Sequence, residues 1–198
     1  MPVSYWINER GSSQISNGSE FQAVHASFQT WQDVSTASIG FNYRGTTVTR
    51  TVGRDGINLI SFADDTTPLG SSTLAATFSF FGVLNGGAIT TEADIVFNPS
   101  QQWSTSGDAG KFDIQSVLTH EVGHFLGLDH AGLLSSVMVP FGSPGVADQR
   151  TLAYDDIAGV SEIYPNGIPL AGWIRGLVTL NKAPVFGAHV VALNRDRF

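Results

Sequence analysis

The stretch His120-Glu121-Val122-Gly123-His124-Phe125-Leu126-Gly127-Leu128-Asp129-His130 ends the longest apolar helix pattern in the chain. Residues four apart on a helix differ by about 40° in direction, so the imidazoles of His120 and His124 point the same way. The apolar stripe of this pattern points more than about 100° away from them; its members are Ile114, Leu118, Val122 and Phe125. One face of the helix is therefore predicted to pack in a core, while the other presents two histidines to a cleft.

Gly127 predicts how a third histidine joins the first two. A helix that continued past this position would carry His130 away, whereas a left-handed turn at glycine ends the helix and lets the chain double back. Three neutral imidazoles leave the fourth position of a tetrahedral zinc open for water, which is the arrangement of catalytic sites. The chain has no cysteine, so thiolate zinc sites and disulfides are excluded. His120, His124 and His130 are the predicted ligands of one catalytic Zn²⁺.

Glu121 lies beside the first of these histidines and is the predicted catalytic residue. Zinc lowers the pKa of a bound water towards about 7, and a neighbouring carboxylate can take the proton. The activated water then attacks a carbonyl, and Glu121 returns the proton to the leaving amine. Two alternatives stay open: a catalytically silent, zinc-stabilised binding module, which has no need of this carboxylate, and an amidase that acts on a non-protein peptide substrate.

The motif H-E-x-x-H-x-x-G-x-x-H followed by a methionine turn is the signature of the metzincin peptidases. Here Ser135-Ser136-Val137-Met138-Val139-Pro140 supplies the turn, with Met138 eight residues after His130. Among metzincins the chain is most similar to the matrixins, the matrix metalloprotease family, including their bacterial members. The resemblance spans about residues 3 to 165, and its supporting stretches are Phe28-Gln29-Thr30-Trp31, Ala93-Asp94-Ile95-Val96-Phe97 and Asp155-Asp156-Ile157-Ala158-Gly159-Val160.

The resemblance implies an α+β, metzincin-like catalytic domain. Its expected parts are a twisted five-stranded mixed sheet, mostly parallel with one antiparallel edge strand, and three helices. Met138 would lie under the metal as a hydrophobic floor. Periodicity and turn residues predict strands near 3–8, 38–43, 58–62, 74–81 and 93–97 and helices near 20–34, 113–127 and 152–164, with Asp113 and Thr151 as caps of the last two helices.

The resemblance also predicts how a substrate binds. An extended peptide would pair with the edge strand at Leu74-Ala75-Ala76-Thr77, where backbone pairing is indifferent to sequence. Specificity would come from a pocket for the residue after the scissile bond, walled by Pro140-Phe141-Gly142 and reached by Ser116. The expected substrate-binding residues are thus Leu74, Ala75, Ser116, Pro140 and Phe141, with a preference for a bulky apolar residue such as leucine.

The chain departs from its relatives at several positions. Pro140 stands where serralysins carry an additional tyrosine ligand, and Ala131 stands where matrixins usually have serine. Ala76 and Ile95 occupy positions that hold structural-zinc histidines in many matrixins, so no structural zinc is expected. A Ca²⁺ site in the loop at Asp64-Asp65 is left open as the less favoured alternative.

Three further residues have competing interpretations. His25 is expected to be a hydrogen-bonded core histidine rather than a ligand. Asp155 and Asp156 fit either ordinary first-turn carboxylates, which the helix dipole favours, or a brace for the methionine turn, as the resemblance suggests.

The composition of the chain limits the classes of partner that we expect this protein to bind. The 198 residues carry a formal net charge of −7, and an acidic chain repels phosphate backbones, so nucleic acid is not an expected partner. No apolar run reaches the roughly 18 residues that a membrane span needs. Protein or peptide substrates are the expected partners, and the oligomeric state is left open.

The C-terminal part of the chain is predicted to differ from the rest. Residues 1–166 are expected to form the protease domain, and residues 167–198 to form a linker and the start of a second module. The two strand patterns at 174–180 and 185–193 resemble the opening of a carboxypeptidase-regulatory-like β-sandwich. Two strands alone bury little surface, so they are expected to pack on the protease, to pair between chains or to belong to a domain cut off at Phe198, and the last alternative is favoured. A multidomain, secreted protein whose leader is absent from this chain fits that pattern.

Overall fold

The computed structural model describes residues 2–62, 64, 66–84, 86–167, 176–188 and 190. The chain divides into two compact units, Met1–Gly167 and Ile168–Phe198. Asp65 and His189, and the predicted strand residues at 174–175 and 191–193, lie outside the described residues.

The first unit is built on a five-stranded mixed sheet, as predicted. Its strands lie in the spatial order β2-β1-β3-β5-β4. Strands β2, β1, β3 and β5 run parallel to one another. Strand β4 pairs antiparallel with β5 and forms one edge of the sheet. The bounds are β1 Val3–Asn8, β2 Phe41–Thr47, β3 Leu59–Ser61, β4 Ala75–Leu84 and β5 Gly87–Phe97.

Three α-helices accompany the sheet, also as predicted: α1 Ser19–Gln32, α2 Ile114–Phe125 and α3 Tyr154–Ile163. A short 3₁₀ helix, Asp148–Arg150, precedes α3, and a small parallel pair is formed by β6 Trp103–Ser104 and β7 Phe112–Asp113. The prediction of Thr151 as the cap of α3 was wrong. The residue before the helix is Ala153, and the carboxylate of Asp156, inside the first turn, accepts its N–H at 2.8 Å.

The core forms where α1 and α2 pack together, and it fixes the helix that carries the motif. Phe28 and Trp31 of α1 and Leu118 and Val122 of α2 are almost fully buried. The indole N–H of Trp31 donates to the carbonyl of Thr119 at 2.8 Å, so the aromatic ring also sets the axial position of α2.

His25 lies on the sheet side of α1. Its Nδ1 is 2.8 Å from the hydroxyl of Tyr5, and burial lowers the pKa of the imidazole. The interpretation as a hydrogen-bonded structural histidine is confirmed.

Asp113 caps the N-terminus of α2, as predicted, by accepting the N–H of Ser116 at 2.8 Å. The buried carboxylate also binds the Arg150 guanidinium through Nε and Nη2, at 2.9 and 2.5 Å. The same guanidinium donates to the carbonyl of Thr105. Because charge-assisted, two-pronged pairs of this kind fix geometry, the start of α2 is anchored to the segments before and after it.

The described part of the second unit contains a small antiparallel hairpin. β8 (Thr179–Leu180) pairs with β9 (Ala183–Pro184) around Asn181 and Lys182, whose φ angles are both positive, at 52° and 67°. Two left-handed residues in a two-residue loop match the right-handed twist of a hairpin. The assignment of residues 167–198 to a second module stays a prediction.

Within the described residues, none of the helices combines the length and the apolar character that a bilayer crossing requires.

Two buried carboxylates hold the loop between β2 and β3 against β5. Asp94 is 1% exposed and accepts the N–H groups of Gly53 and Leu59, each at 3.0 Å. Glu92, two residues earlier, accepts the N–H of Asp55 at 3.0 Å. Buried backbone donors need such partners, so this loop is fixed by side-chain oxygens.

Asp94 gives the fold a testable dependence on pH. Burial, with smaller contributions from the charges of Glu92 and Asp55, raises the pKa of this carboxyl from 3.8 to about 6, against the two backbone donors. A folded-state pKa above the unfolded one means that the native state binds the proton more tightly. The contribution of Asp94 to stability is therefore fully present below about pH 4 and is lost as the pH rises through about 6.

We expect the free energy of unfolding of the wild type, minus that of Asp94→Asn, to fall between pH 4 and pH 7. Urea titrations at each pH measure this difference, and groups that titrate identically in both proteins cancel. A difference that is flat or rises over this range would contradict the assignment.

Candidate metal centre

Three imidazoles meet at the C-terminal end of α2. One nitrogen of each of His120, His124 and His130 lies within 4.8 Å of those of the other two, and among the described residues this is the one His/Cys/Asp/Glu cluster compact enough to hold a metal ion. The Nε2 atoms of His124 and His130 are 3.2 Å apart. The predicted ligands are thus brought together, and their role as zinc ligands remains an inference.

The turn after α2 brings the third histidine to the other two. Gly127 adopts a φ of +94°, its N–H donates to the carbonyl of His124 at 2.9 Å, and the N–H of Leu128 donates to the carbonyl of Gly123 at 3.0 Å. These two hydrogen bonds form a Schellman motif, which glycine in the left-handed region permits without a Cβ clash. The reversal that the sequence predicted at Gly127 is therefore present.

Backbone carbonyls set the orientation of two of the rings. Nδ1 of His120 lies 2.8 Å from the carbonyl of Val137, and Nδ1 of His124 lies 2.9 Å from that of Leu128. A carbonyl only accepts, so each Nδ1 carries the hydrogen, and the Nε2 of the neutral ring presents a lone pair. Lone pairs that converge on one point repel each other unless a cation lies between them. The donor set therefore fits a divalent metal such as zinc.

Burial shifts the pKa values of two residues at the site, His120 and Glu121. Desolvation is the main cause that lowers the pKa of His120 to about 4, and the two neighbouring histidines add to it. The ring is therefore neutral at pH 7, as a metal ligand must be. Desolvation also raises the pKa of Glu121, which is 5% exposed, to about 7, against a hydrogen bond from Thr77 and the charge of His130.

Met138 approaches α2 closely because the helix has a glycine at the point of contact. A Cβ built on Gly123 would overlap the Met138 sulfur and come within 3.0 Å of the Trp31 ring. Met138 is 2% exposed and packs in the same core cluster as Trp31. The methionine is thus pressed against the histidine-bearing helix, and its role as a hydrophobic floor under the metal stays a prediction.

Asp156 holds the methionine turn from below. Its carboxylate accepts the N–H groups of Val137 and Met138, at 2.9 and 3.2 Å, and the hydroxyl of Ser136. Asp156 is 2% exposed, whereas Asp155 is exposed. Of the two interpretations of these aspartates, the brace is confirmed for Asp156. Because the carbonyl of Val137 orients His120, this brace also steadies a ligand.

An open cleft of about 860 Å³ passes the histidines. The edge strand β4 forms one wall, and the segment after the methionine turn forms the other. The residues that line it include Leu74, Ala75, Ala76, Thr77, Val117, His120, Glu121, His124, His130, Val139, Pro140, Phe141, Gly142 and Gln149. Four of the five predicted substrate-binding residues are among them.

The fifth, Ser116, is buried, and the residue of α2 that lines the cleft next to it is Val117. The Ser116 hydroxyl oxygen has no hydrogen-bond partner among the described residues, while its N–H is bound by the Asp113 cap. Its role in the pocket stays a prediction.

The side-chain contacts of two cleft residues were not predicted from the sequence. The Thr77 hydroxyl lies 2.7 Å from the Glu121 carboxylate. The side-chain amide of Gln149 donates to the carbonyls of Val137 and Val139, at 3.1 and 3.4 Å, and so ties the cleft wall to the 3₁₀ helix. Neither set of contacts belongs to a local motif, because Thr77 reaches a residue 44 positions away and Gln149 reaches residues 10 and 12 positions away, and no sequence signal marked these contacts.

The loop at Asp64 bears on the open question of calcium. Oδ1 of Asp64 accepts the N–H groups of Thr66 and Thr67, and Oδ2 accepts the Thr67 hydroxyl and the N–H of Val52. Both carboxylate oxygens of Asp64 thus accept hydrogen bonds from the protein. A Ca²⁺ site formed with Asp65 stays a prediction.

Comparisons with known proteins agree with this geometry. The family model described as matrixin matches residues 2–165. The chain is 36% identical to Metalloendoproteinase 1 of Glycine max over 42% of this chain and 29% of that protein. It is 26% identical to Karilysin of Tannerella forsythia, over 86% of this chain and 34% of that protein. It is also 29% identical to the Hatching enzyme of Paracentrotus lividus, over 82% of this chain and 25% of that protein. The chain thus spans about a third or less of the length of each of these relatives.

The contact between Gly123 and Met138 predicts the effect of a single methyl group. Gly123→Ala would force Met138 or Trp31 to move, and overpacking of this kind costs about 1–3 kcal/mol, against about 1 kcal/mol of gained helix propensity. We expect a net loss of stability of the metal-free protein in urea titrations, together with weaker Zn²⁺ binding by titration calorimetry.

Gly159→Ala in α3 is the matched control, since its added Cβ meets only the end of the Leu128 side chain, at 3.0 Å. It should leave Zn²⁺ affinity unchanged, and it should leave stability unchanged or raise it by up to about 1 kcal/mol through helix propensity. Unchanged stability and Zn²⁺ affinity in Gly123→Ala would show that the close approach does not constrain the site.

Proposed function

This chain belongs to the matrixin family, and from that premise we propose that its domain of residues 2–165 is a zinc-dependent endopeptidase that hydrolyses internal peptide bonds of proteins or peptides. One observation carries the proposal: three histidine nitrogens converge beside a buried carboxylate in an open cleft. Relatives whose names include metalloendoproteinase support it.

His120, His124 and His130 would hold the metal through the nitrogens that face one another. Zinc, when bound there, supplies Lewis acidity, which makes water more acidic and polarises a carbonyl. The carboxylate of Glu121 takes the proton of the attacking water and returns it to the leaving amine. Its burial among apolar neighbours favours this exchange, because a base with a pKa near the working pH can both accept and release a proton.

The substrate would bind in extended form along β4. This strand lies at the edge of the sheet, and Leu74, Ala75 and Ala76 line the cleft. Pairing with its backbone would hold any sequence, so side-chain pockets must select. Val117 and Val139, each 7% exposed, and Leu74 give the cleft an apolar side that supports a preference for a bulky apolar residue after the scissile bond.

A secreted, extracellular location belongs to the proposal and is supported by family membership alone. The partners proposed are protein or peptide substrates. The proposed chemistry requires neither residues 167–198 nor calcium.

Chelation and Glu121→Gln test the proposed chemistry. Incubation of the full chain with casein and a peptide library should give cleavage that a chelator abolishes and added Zn²⁺ restores. Because general acid–base catalysis contributes about 10²- to 10⁴-fold, Glu121→Gln should lower kcat/KM by at least about a hundredfold while Zn²⁺ content stays at that of the wild type.

Glu9→Gln, an exposed carboxylate of the turn after β1, is the matched control and should retain full activity. Zinc binding without cleavage of any peptide would instead favour the silent module, and cleavage of cell-wall peptides alone would favour the amidase. Chelator-resistant proteolysis would refute the zinc mechanism.

The specificity proposal has its own test. In a peptide series that varies only the residue after the scissile bond, leucine should give the highest kcat/KM, and aspartate should be cleaved at least about tenfold more slowly, because a charge pays a desolvation penalty in an apolar pocket. A mass-spectrometric cleavage profile dominated by charged residues at this position would overturn the preference.

A further inference from the structure

Thr77 joins the edge strand to the carboxylate that is proposed as the base. Its Oγ1 lies 2.7 Å from Oε2 of Glu121 and 3.0 Å from the carbonyl oxygen of the same residue. These contacts bridge 44 positions of sequence and connect β4 with α2. Among the described residues, the hydrogen bond that reaches the Glu121 side chain comes from this hydroxyl.

We propose that Thr77 is a positioning residue for catalysis, whose hydroxyl holds the Glu121 carboxylate at a fixed distance from the strand along which the substrate lies. The inference rests on the proposed endopeptidase function and deepens it. Three considerations support it, and each concerns a different property of the threonine.

The first is rigidity. A glutamate side chain has three rotatable bonds and loses considerable rotamer freedom when it is fixed. Threonine is β-branched, and its χ1 angle is restricted. Thr77 itself is fixed by pairing opposite Ile95, which is fully buried in β5. A stiff donor on a paired strand therefore restrains a flexible acceptor that no other described side chain holds.

The second is hydrogen-bond capacity. A hydroxyl carries one hydrogen and two lone pairs, so Thr77 donates to one of its two acceptors at a time. While Glu121 is ionised, the closer and charged carboxylate oxygen is the better acceptor. When Glu121 holds the proton during the reaction, the hydroxyl can accept from it and donate to the Glu121 carbonyl. The same residue thus supports the carboxylate at both stages of the proton transfer.

The third is position. Thr77 lines the cleft, and its neighbours Ala75 and Ala76 belong to the strand segment proposed to pair with the substrate backbone. A peptide paired with this strand and the carboxylate bound by the Thr77 side chain would therefore be positioned by the same segment of β4. Small misplacements of a catalytic group cost up to about a hundredfold in rate.

Thr77→Val and Thr77→Ser separate the hydroxyl from the rest of the side chain. Valine keeps the β-branched shape and removes the hydroxyl, whereas serine keeps the hydroxyl. Loss of a hydrogen bond to a charged group corresponds to about ten- to a hundredfold. We expect Thr77→Val to lower kcat by that factor, with KM changed less than about threefold. Thr77→Ser should keep kcat within about threefold of the wild type.

Two measurements distinguish positioning from a structural role. Zn²⁺ content and the thermal midpoint of Thr77→Val should stay close to those of the wild type. Thr91→Val is the matched control, because this exposed threonine on β5 also donates its hydroxyl to a backbone carbonyl, that of Phe80 at 3.1 Å, and should leave kcat unchanged.

The proposal is overturned if Thr77→Val keeps kcat within about twofold, if valine and serine lower it equally, or if the loss follows Zn²⁺ loss or unfolding. An increase in KM alone would also refute it, since that points to substrate binding. A wild type without any proteolytic activity would refute the proposed function first, whereas an active wild type with an unaffected Thr77→Val refutes this inference alone.

Discussion

The site depends on the direction in which two imidazoles face. His120 and His124 lie one helical turn apart, and each is oriented by a backbone carbonyl, that of Val137 or of Leu128. Because those carbonyls fix the hydrogens on Nδ1, the Nε2 lone pairs are presented to a common point, and His130 completes the set. Neither carbonyl belongs to α2, so the chemistry of the helix is decided by segments that fold back against it.

Each of those segments is held in place by its own set of contacts. The Schellman turn at Gly127 carries Leu128 back over the end of α2. The methionine turn is held by the buried carboxylate of Asp156, and Met138 reaches α2 where Gly123 leaves room for it. A disturbance at either support would rotate a ring rather than remove a ligand, so metal affinity and fold stability are coupled in this domain.

Two features of the edge strand β4 bear on the proposed function. Its backbone lies at the border of the sheet, where an extended peptide could be added, and its Thr77 side chain reaches the Glu121 carboxylate. Burial makes that carboxylate a weaker acid than it is in water, with a pKa of about 7, and a partner that can donate or accept suits such a group. Under the proposed function, the strand would link substrate alignment with the base.

Local spacing in the sequence was enough to predict much of this domain. The helical HExxH segment of α2, the glycine that ends the helix and the Asp113 cap were predictable, because helix periodicity and capping act within short stretches. The mixed five-stranded sheet was predicted from the resemblance to matrixins, which spans about residues 3 to 165. Three features emerged only from the packed fold: Thr77 on Glu121, Gln149 on the cleft wall, and Asp156 instead of Thr151 at the start of α3. The Thr77 contact joins residues 44 positions apart, the Gln149 contacts reach across 10 and 12 positions, and the Asp156 contact depends on where a side chain points at the start of its helix. Their geometry is set by how the helices pack on the sheet, and no local pattern of residues encodes that packing.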